Sequence, residues 1–337
     1  MMFNMQPGVE QEHEAHQGKY TFAAQSVDDL RTWQQTFRAE LAQLLGLADR
    51  PLPQSFAAEL LDSVDCGDYI EEKYAFQMPD GPMPVYLLVP KAEPPFKLIM
   101  AFHGHGPGVG TILGKHPDPT VQQAMIDNQD NFAQELARAG YLVCAVEQRG
   151  FGERLTDQVK PDNHNSCRHL AFDYMMHGKT LLGERLFDAM TALSWLQQRD
   201  DLVPGIVGNT GHSGGGTTAL YLAALDDRIT TSVVGCYFCD YYYSILGMSH
   251  CECNYVPGLL PLGDVADVGA LITPKPLRFI NGQVDPIFPI EGVHKAYKTV
   301  ERAYALADAQ DDLSLYVHPA GHRYDLAASV EWFNKWL

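Results

Sequence analysis

The chain has 337 residues, enough for a large core, and carries 24 Lys plus Arg against 42 Asp plus Glu, a formal charge of −18. That excess disfavours nucleic acid and anionic membrane surfaces as partners, because phosphate binding needs clustered cations. A hydrophobic fraction of 46% and a charged fraction of 20% fit a globular protein and exclude a disordered one.

Residues 1–25 are polar and without periodicity, and read as an N-terminal arm. They contain no basic segment followed by an apolar run, so no signal peptide is expected. No apolar stretch reaches the roughly 18 residues that a membrane helix needs. The seven cysteines, Cys66, Cys144, Cys167, Cys236, Cys239, Cys251 and Cys253, are an odd number in a long chain. A disulfide framework is therefore not expected, and the default is a reduced, cytoplasmic protein.

Ser26, with Asp29 three residues on, opens a helix. Leu30, Trp33, Phe37, Leu41, Leu44 and Leu45 give it one buried face. Pro51 and Pro53 end it. Runs 69–78 and 84–89 flank the turn signal Pro79-Asp80-Gly81-Pro82 and predict an antiparallel hairpin. Buried strands are predicted at 97–102, 141–146, 205–208, 229–238, 277–280 and 313–317. Helices are predicted at 131–140, 183–198, 217–225 and 325–337. Such alternation means βαβ units and a mostly parallel sheet. Residues 152–180 and 239–273 break the alternation and read as insertions of lid or binding-wall type. Residues 26–337 are expected to form one domain.

The strongest chemical signal is Gly211-His212-Ser213-Gly214-Gly215. A bare G-x-S-x-G is weak, but here a buried strand enters it and an apolar helix leaves it. That setting makes Ser213 a nucleophile on a strained turn. A serine nucleophile needs a base, and the base an orienting acid. Asp285, in Asn281-Gly-Gln-Val-Asp285-Pro, follows the strand 277–280 and supplies the acid. His322, freed by Gly321, is the preferred base, with His318 as competitor. The other histidines, His212 included, read as packing or surface residues. The oxyanion of the intermediate needs two donors. The backbone N–H of Gly214 is one. The other is expected from His103-Gly104-His105-Gly106, at His105 with Gly104 as fallback.

On these residues the chain resembles an α/β-hydrolase of the dienelactone-hydrolase and acetyl-xylan-esterase branch. The matching stretches are Phe102-His-Gly-His-Gly106, Glu147-Gln-Arg-Gly-Phe-Gly152, Gly211-His-Ser-Gly-Gly215, 281–285 and Gly321-His322. The resemblance covers about residues 28–337. It implies a mostly parallel eight-stranded sheet and carboxylic-ester hydrolysis without a cofactor, with Ser213, Asp285 and His322 as the triad. Such families often place Asp after the fourth strand. Here Glu147 stands there, and pairing with Arg149 is the expectation.

Cys236-x-x-Cys239 followed by His250-Cys251-x-Cys253 has the residue types of a metal site but not the usual zinc spacing, so no metal is expected. Tyr242 and Tyr243, in the 239–273 insertion, are expected to wall a short acyl pocket, with Gly104 across from them. The expected partner is a small-molecule ester, with no nucleic acid and no membrane; a homo-oligomer stays open. Two other readings share the serine motif. A prolyl-oligopeptidase-like peptidase would need a propeller that the stretch before Lys97 is too short to hold. A non-catalytic binding protein on this fold would have lost a triad member, and none is missing.

Overall fold

A computed structural model of the chain describes residues 8, 11, 12, 15, 17–53, 55–157 and 165–337. The remainder of the 1–25 arm and part of the 152–180 insertion lie outside the described residues. The first long helix, Val27–Leu44, starts where Ser26 accepts a hydrogen bond from Asp29 N at 3.1 Å. It buries Leu30, Phe37 and Leu41. Residues 17–25 lie on it and on a distant segment. Lys19 N and Tyr20 N donate to the carbonyls of Pro261 and Leu262, and Phe22 N donates to Asp267. Buried Tyr20 stacks on Phe37 at 5.2 Å.

Among the described residues one sheet of nine strands follows: β1 Ala58–Asp65, β2 Tyr69–Met78, β3 Gly81–Pro90, β4 Phe96–Phe102, β5 Leu142–Val146, β6 Leu202–His212, β7 Thr231–Gly235, β8 Leu277–Gly282 and β9 Leu313–His318. Their spatial order is β1-β2-β3-β5-β4-β6-β7-β8-β9. The pairs β1/β2, β2/β3 and β3/β5 are antiparallel, and every later pair is parallel. The count corrects the expected eight. The additional strand is β1, whose sequence AELLDSVD lies on the edge with nearly every side chain exposed. An edge strand with no buried face shows no alternation of apolar and polar residues. The central strands β4, β5 and β7 are buried on both faces, as parallel strands covered by helices must be.

The long helices Leu181–Leu196, Gly214–Leu225 and Leu326–Trp336 sit close to their expected positions. Several helices escaped the sequence reading, Ile290–Leu306 the longest of them. Pro119–Asp127 is capped by Asp118 with proline at its first position, a start signal legible in hindsight. Cys167–Met176 lies inside the first insertion. Among the described residues no helix is long and apolar enough to cross a membrane.

The crossovers leave β4, β6, β8 and β9 ending on one edge of the sheet. Phe102 pairs with Gly211 and Gly282 with His318, so these strand ends lie level with their neighbours. Open α/β sheets bind ligands outside that edge, where loops project clear of the crossover helices.

Candidate active site

Ser213 follows β6 directly with φ 56° and ψ −121°, a left-handed backbone that is strained for a residue with a side chain. Ser213 N donates to the Gly235 carbonyl at 2.8 Å, which fixes the turn against β7. The helix Gly214–Leu225 starts at once, and it fits only because its first residues lack side chains. A Cβ at Gly211 would overlap the Gly215 carbonyl, and one at Gly215 would overlap the Phe102 carbonyl. The turn thus locks the strands and the helix together. It also points the helix N-terminus, with its free N–H groups, at the space over Ser213.

His322 follows β9. Its Nδ1 lies 2.8 Å from Asp285 Oδ2. Asp285 is buried, and its other oxygen accepts from Ile287 N at 2.9 Å and Phe288 N at 3.1 Å. The carboxylate is therefore held on one side by the backbone and presents its second oxygen to the imidazole. This selects the tautomer with the proton on Nδ1 and leaves Nε2 free to accept one. The ring is clamped between Phe288, stacked at 5.6 Å, and His212 at 4.6 Å. His318, the competing base, is buried and has its Nε2 2.9 Å from the Arg323 carbonyl, away from this work.

The loop after β4 lies across the elbow. A Cβ at Gly104 would come 2.9 Å from the His212 carbonyl and 3.2 Å from Ser213 Cβ. A Cβ at Gly214 would meet the His105 ring at 2.7 Å. Glycine is thus what lets the 103–106 backbone sit beside the nucleophile. The loop is pinned from behind. Gln148 N donates to His103 Nε2 at 3.1 Å, and the Gln148 amide donates to the His103 carbonyl at 2.6 Å. Thr218 closes the network by donating to the Gln148 amide oxygen at 2.6 Å.

Ser213, His322, Gly104 and His105 line one cavity of about 270 Å³. Its other walls are Thr111, Ile112, Asn128, Asp130, Phe132, His212 and Arg323. The sequence reading did not select the wall 111–132; the polar run Asp127-Asn-Gln-Asp-Asn131 beside a strand end was the available signal. Burial pushes the Asp130 carboxyl up, against the opposing pull of His322 and Arg323. His212 is held well below the ordinary imidazole range, first by burial and then by the neighbouring His322 and His318. Among the described residues its buried Nε2 has no hydrogen-bond partner, in keeping with a neutral ring beside the base.

Tyr242 and Tyr243 sit elsewhere. They line a separate cavity of about 520 Å³ with Asp240, Asp264 and Lys295. Lys295 lies over the Tyr243 ring at 5.4 Å and pairs with Asp240 at 2.8 Å. The insertion that carries the tyrosines places them on a cavity that Ser213 does not line, a placement that residue types alone do not encode. Tyr243→Ala is therefore expected to leave the acyl-length preference of any ester hydrolysis at Ser213 unchanged. A shift of the optimum across a p-nitrophenyl ester series would return Tyr243 to the acyl pocket.

Glu147 does not pair with Arg149. Its carboxylate accepts from Val109 N at 3.1 Å and is enclosed by Gly108 and Gly152. Arg149 instead donates to Asp188 at 2.7 and 2.8 Å and also pairs with Asp80, and Arg154 reaches Asp188 at 2.6 Å. These ion pairs tie the loop after β5 to the helix Leu181–Leu196. The cysteines regroup as well. Cys236 donates to the Arg323 carbonyl at 3.1 Å and Cys239 faces Pro289 O. Burial pushes the Cys236 thiol up to about 12, with Asp285 adding to the shift, so it is no nucleophile.

The model of the abhydrolase family matches residues 6–325. The chain is 29% identical over 309 residues to YtaP of Bacillus subtilis (strain 168), a protein assigned as a hydrolase, and the match covers 89% of this chain and 98% of that one. Among solved structures, a Bacteroides fragilis NCTC 9343 protein assigned as an acetyl xylan esterase superposes with TM-score 0.83 at 17% identity, covering 100% of this chain and 96% of the other. A glucuronoyl esterase from Solibacter usitatus gives TM-score 0.68 at 15% identity, covering 94% and 95%. At these identities the structural likeness is one of fold: the α/β-hydrolase sheet with its flanking helices.

Proposed function

The chain belongs to the abhydrolase family, and from that premise we propose that it is a serine carboxylic-ester hydrolase for short-acyl esters of polar alcohols. The observation that carries this reading is the Asp285–His322 bond of 2.8 Å beside the cavity that both His322 and Ser213 line. Ser213 Oγ attacks the ester carbonyl while His322 Nε2 takes its proton. Asp285 stabilises the imidazolium that forms. The backbone N–H groups of Gly214 and His105, with Gly104 as the alternative to His105, receive the oxyanion. His322 then protonates the leaving alcohol. A water activated by the same imidazole hydrolyses the acyl-enzyme and restores Ser213.

The substrate class follows from the cavity. About 270 Å³ is small for a ligand site, and Thr111, Asn128, Asp130 and Arg323 leave no continuous apolar groove for a long chain. Each methylene kept in water forfeits about 0.8 kcal/mol of burial, and one forced into a full pocket adds strain. The esterase names of the structural neighbours support the reaction class.

A p-nitrophenyl ester series tests it. kcat/KM is expected to peak between acetyl and butyryl and to fall steeply beyond, while a proline anilide peptide stays uncleaved. Preference for decanoyl or longer esters, with activation at an oil–water interface, would make the protein a lipase instead.

A further inference from the structure

The fold brings four ligand-type side chains to one point beside the oxyanion loop, and they are not the four that spacing suggested. His105, Cys167, Cys251 and Cys253 place one donor atom each within 4.8 Å of all the others. His105 Nε2 is 3.1 Å from Cys253 Sγ, and Cys253 Sγ is 3.4 Å from Cys251 Sγ. A tetrahedral centre with three zinc–sulfur bonds of about 2.3 Å and one zinc–nitrogen bond of about 2.0 Å needs donor separations of roughly 3.5–3.8 Å. We propose that His105, Cys167, Cys251 and Cys253 form a structural zinc site.

A second observation points to charge at this place. Arg185 is buried, yet among the described residues it forms no ion pair with a carboxylate. Its guanidinium donates to the Arg149 carbonyl at 2.7 Å and to Cys167 Sγ at 3.1 Å, and it lies over the Phe151 ring at 4.9 Å. A buried cation needs a partner of opposite sign. Zinc with three thiolates and one neutral imidazole carries a net charge of −1, and Arg185 neutralises it. A disulfide would consume two thiols and leave both His105 and the arginine without a reason.

The surroundings suit a closed metal centre. Cys167 and Cys253 are buried in an apolar cluster with Phe151, Ala171 and Leu181. Phe151 also meets the His105 ring edge-on at 5.5 Å. Four protein ligands leave no open position, so the zinc is structural and takes no part in the hydrolysis. The four residues come from three separate places: the loop after β4, the first insertion and the second. Thr217 of the elbow helix joins the same corner by donating to Asn254 at 3.1 Å. Zinc therefore ties both insertions to the loop that lies on Ser213. On binding, the thiols release their protons to solvent.

The test is metal content, not turnover. Protein purified from zinc-supplemented medium is expected to hold about one equivalent of zinc per chain by elemental analysis. Cys66→Ser, on the far hairpin, and Ser213→Ala should keep that zinc, and Cys253→Ser should lose it. The Ser213→Ala arm separates failure of this site from failure of the hydrolytic reading. If Cys253→Ser does not fold, the unaltered chain still decides. Reduced, metal-free protein titrated with Co²⁺ should saturate at one equivalent, with sulfur-to-cobalt charge-transfer absorption and the intense d–d bands of a tetrahedral site. A reduced chain that takes up neither Zn²⁺ nor Co²⁺, or a cobalt complex lacking sulfur charge transfer, would overturn the proposal.

Discussion

Replacing Ser213 by Ala is expected to lower kcat for p-nitrophenyl acetate by on the order of 10⁴ or more, with little change in thermal stability. In the proposed mechanism this hydroxyl is the protein group that bonds to the acyl carbon. Cys236 lies near the base, but burial keeps it protonated and its thiol is turned to the Arg323 carbonyl. Asp285→Asn should cost about the same order, because an amide in place of the carboxylate no longer holds the imidazole tautomer that leaves Nε2 free. The two Asp285 contacts to the 287–288 backbone mean that the loop itself should survive. A fluorophosphonate should label Ser213 in the unaltered protein and nothing in Ser213→Ala. Turnover by Ser213→Ala at the unaltered rate, or label on another residue, would remove Ser213 from the mechanism.

Gly215→Ala should be the most damaging single methyl group. Its Cβ would overlap the Phe102 carbonyl and come within 2.8 Å of the His103 carbonyl, where ordinary contact starts at 3.4 Å. Both carbonyls belong to backbone, so neither can rotate away. The His103 carbonyl alone must retreat by about 0.6 Å, and it already accepts from the Gln148 amide. The loop that would supply the His105 N–H moves with it. Misplacement of about 1 Å costs on the order of 10² in rate, and overpacking costs about 1–3 kcal/mol in stability. Gly215→Ala is therefore expected to fold with a lowered melting temperature and to lose about two orders of magnitude in kcat. A variant with unaltered kcat would show that the 102–103 backbone is free to shift without consequence, contrary to the pinned network around His103.

The elbow was legible in the sequence for a local reason. A side chain forced into a left-handed turn between a strand and a helix requires small neighbours, so Gly211, Gly214 and Gly215 spell out their own geometry. Asp285 and His322 were legible because the order of strands places their loops on the same sheet edge as Ser213. Edge strand β1 left no signal, since nothing on it alternates between core and solvent. Tyr242 and Tyr243 misled because residue type does not say which way an insertion turns.

By itself, then, the sequence determined the parallel sheet, the strand–turn–helix at Ser213 and the positions of Asp285 and His322. These depend on periodicity and backbone sterics that are set within a few residues. Only the tertiary structure decided the partners of Arg149, the 111–132 wall of the cavity and the meeting of His105 with Cys167, Cys251 and Cys253. Those contacts join segments far apart in the chain, in loops without periodic pattern. Their register is set by how two insertions pack on the sheet edge, and no local spacing records it.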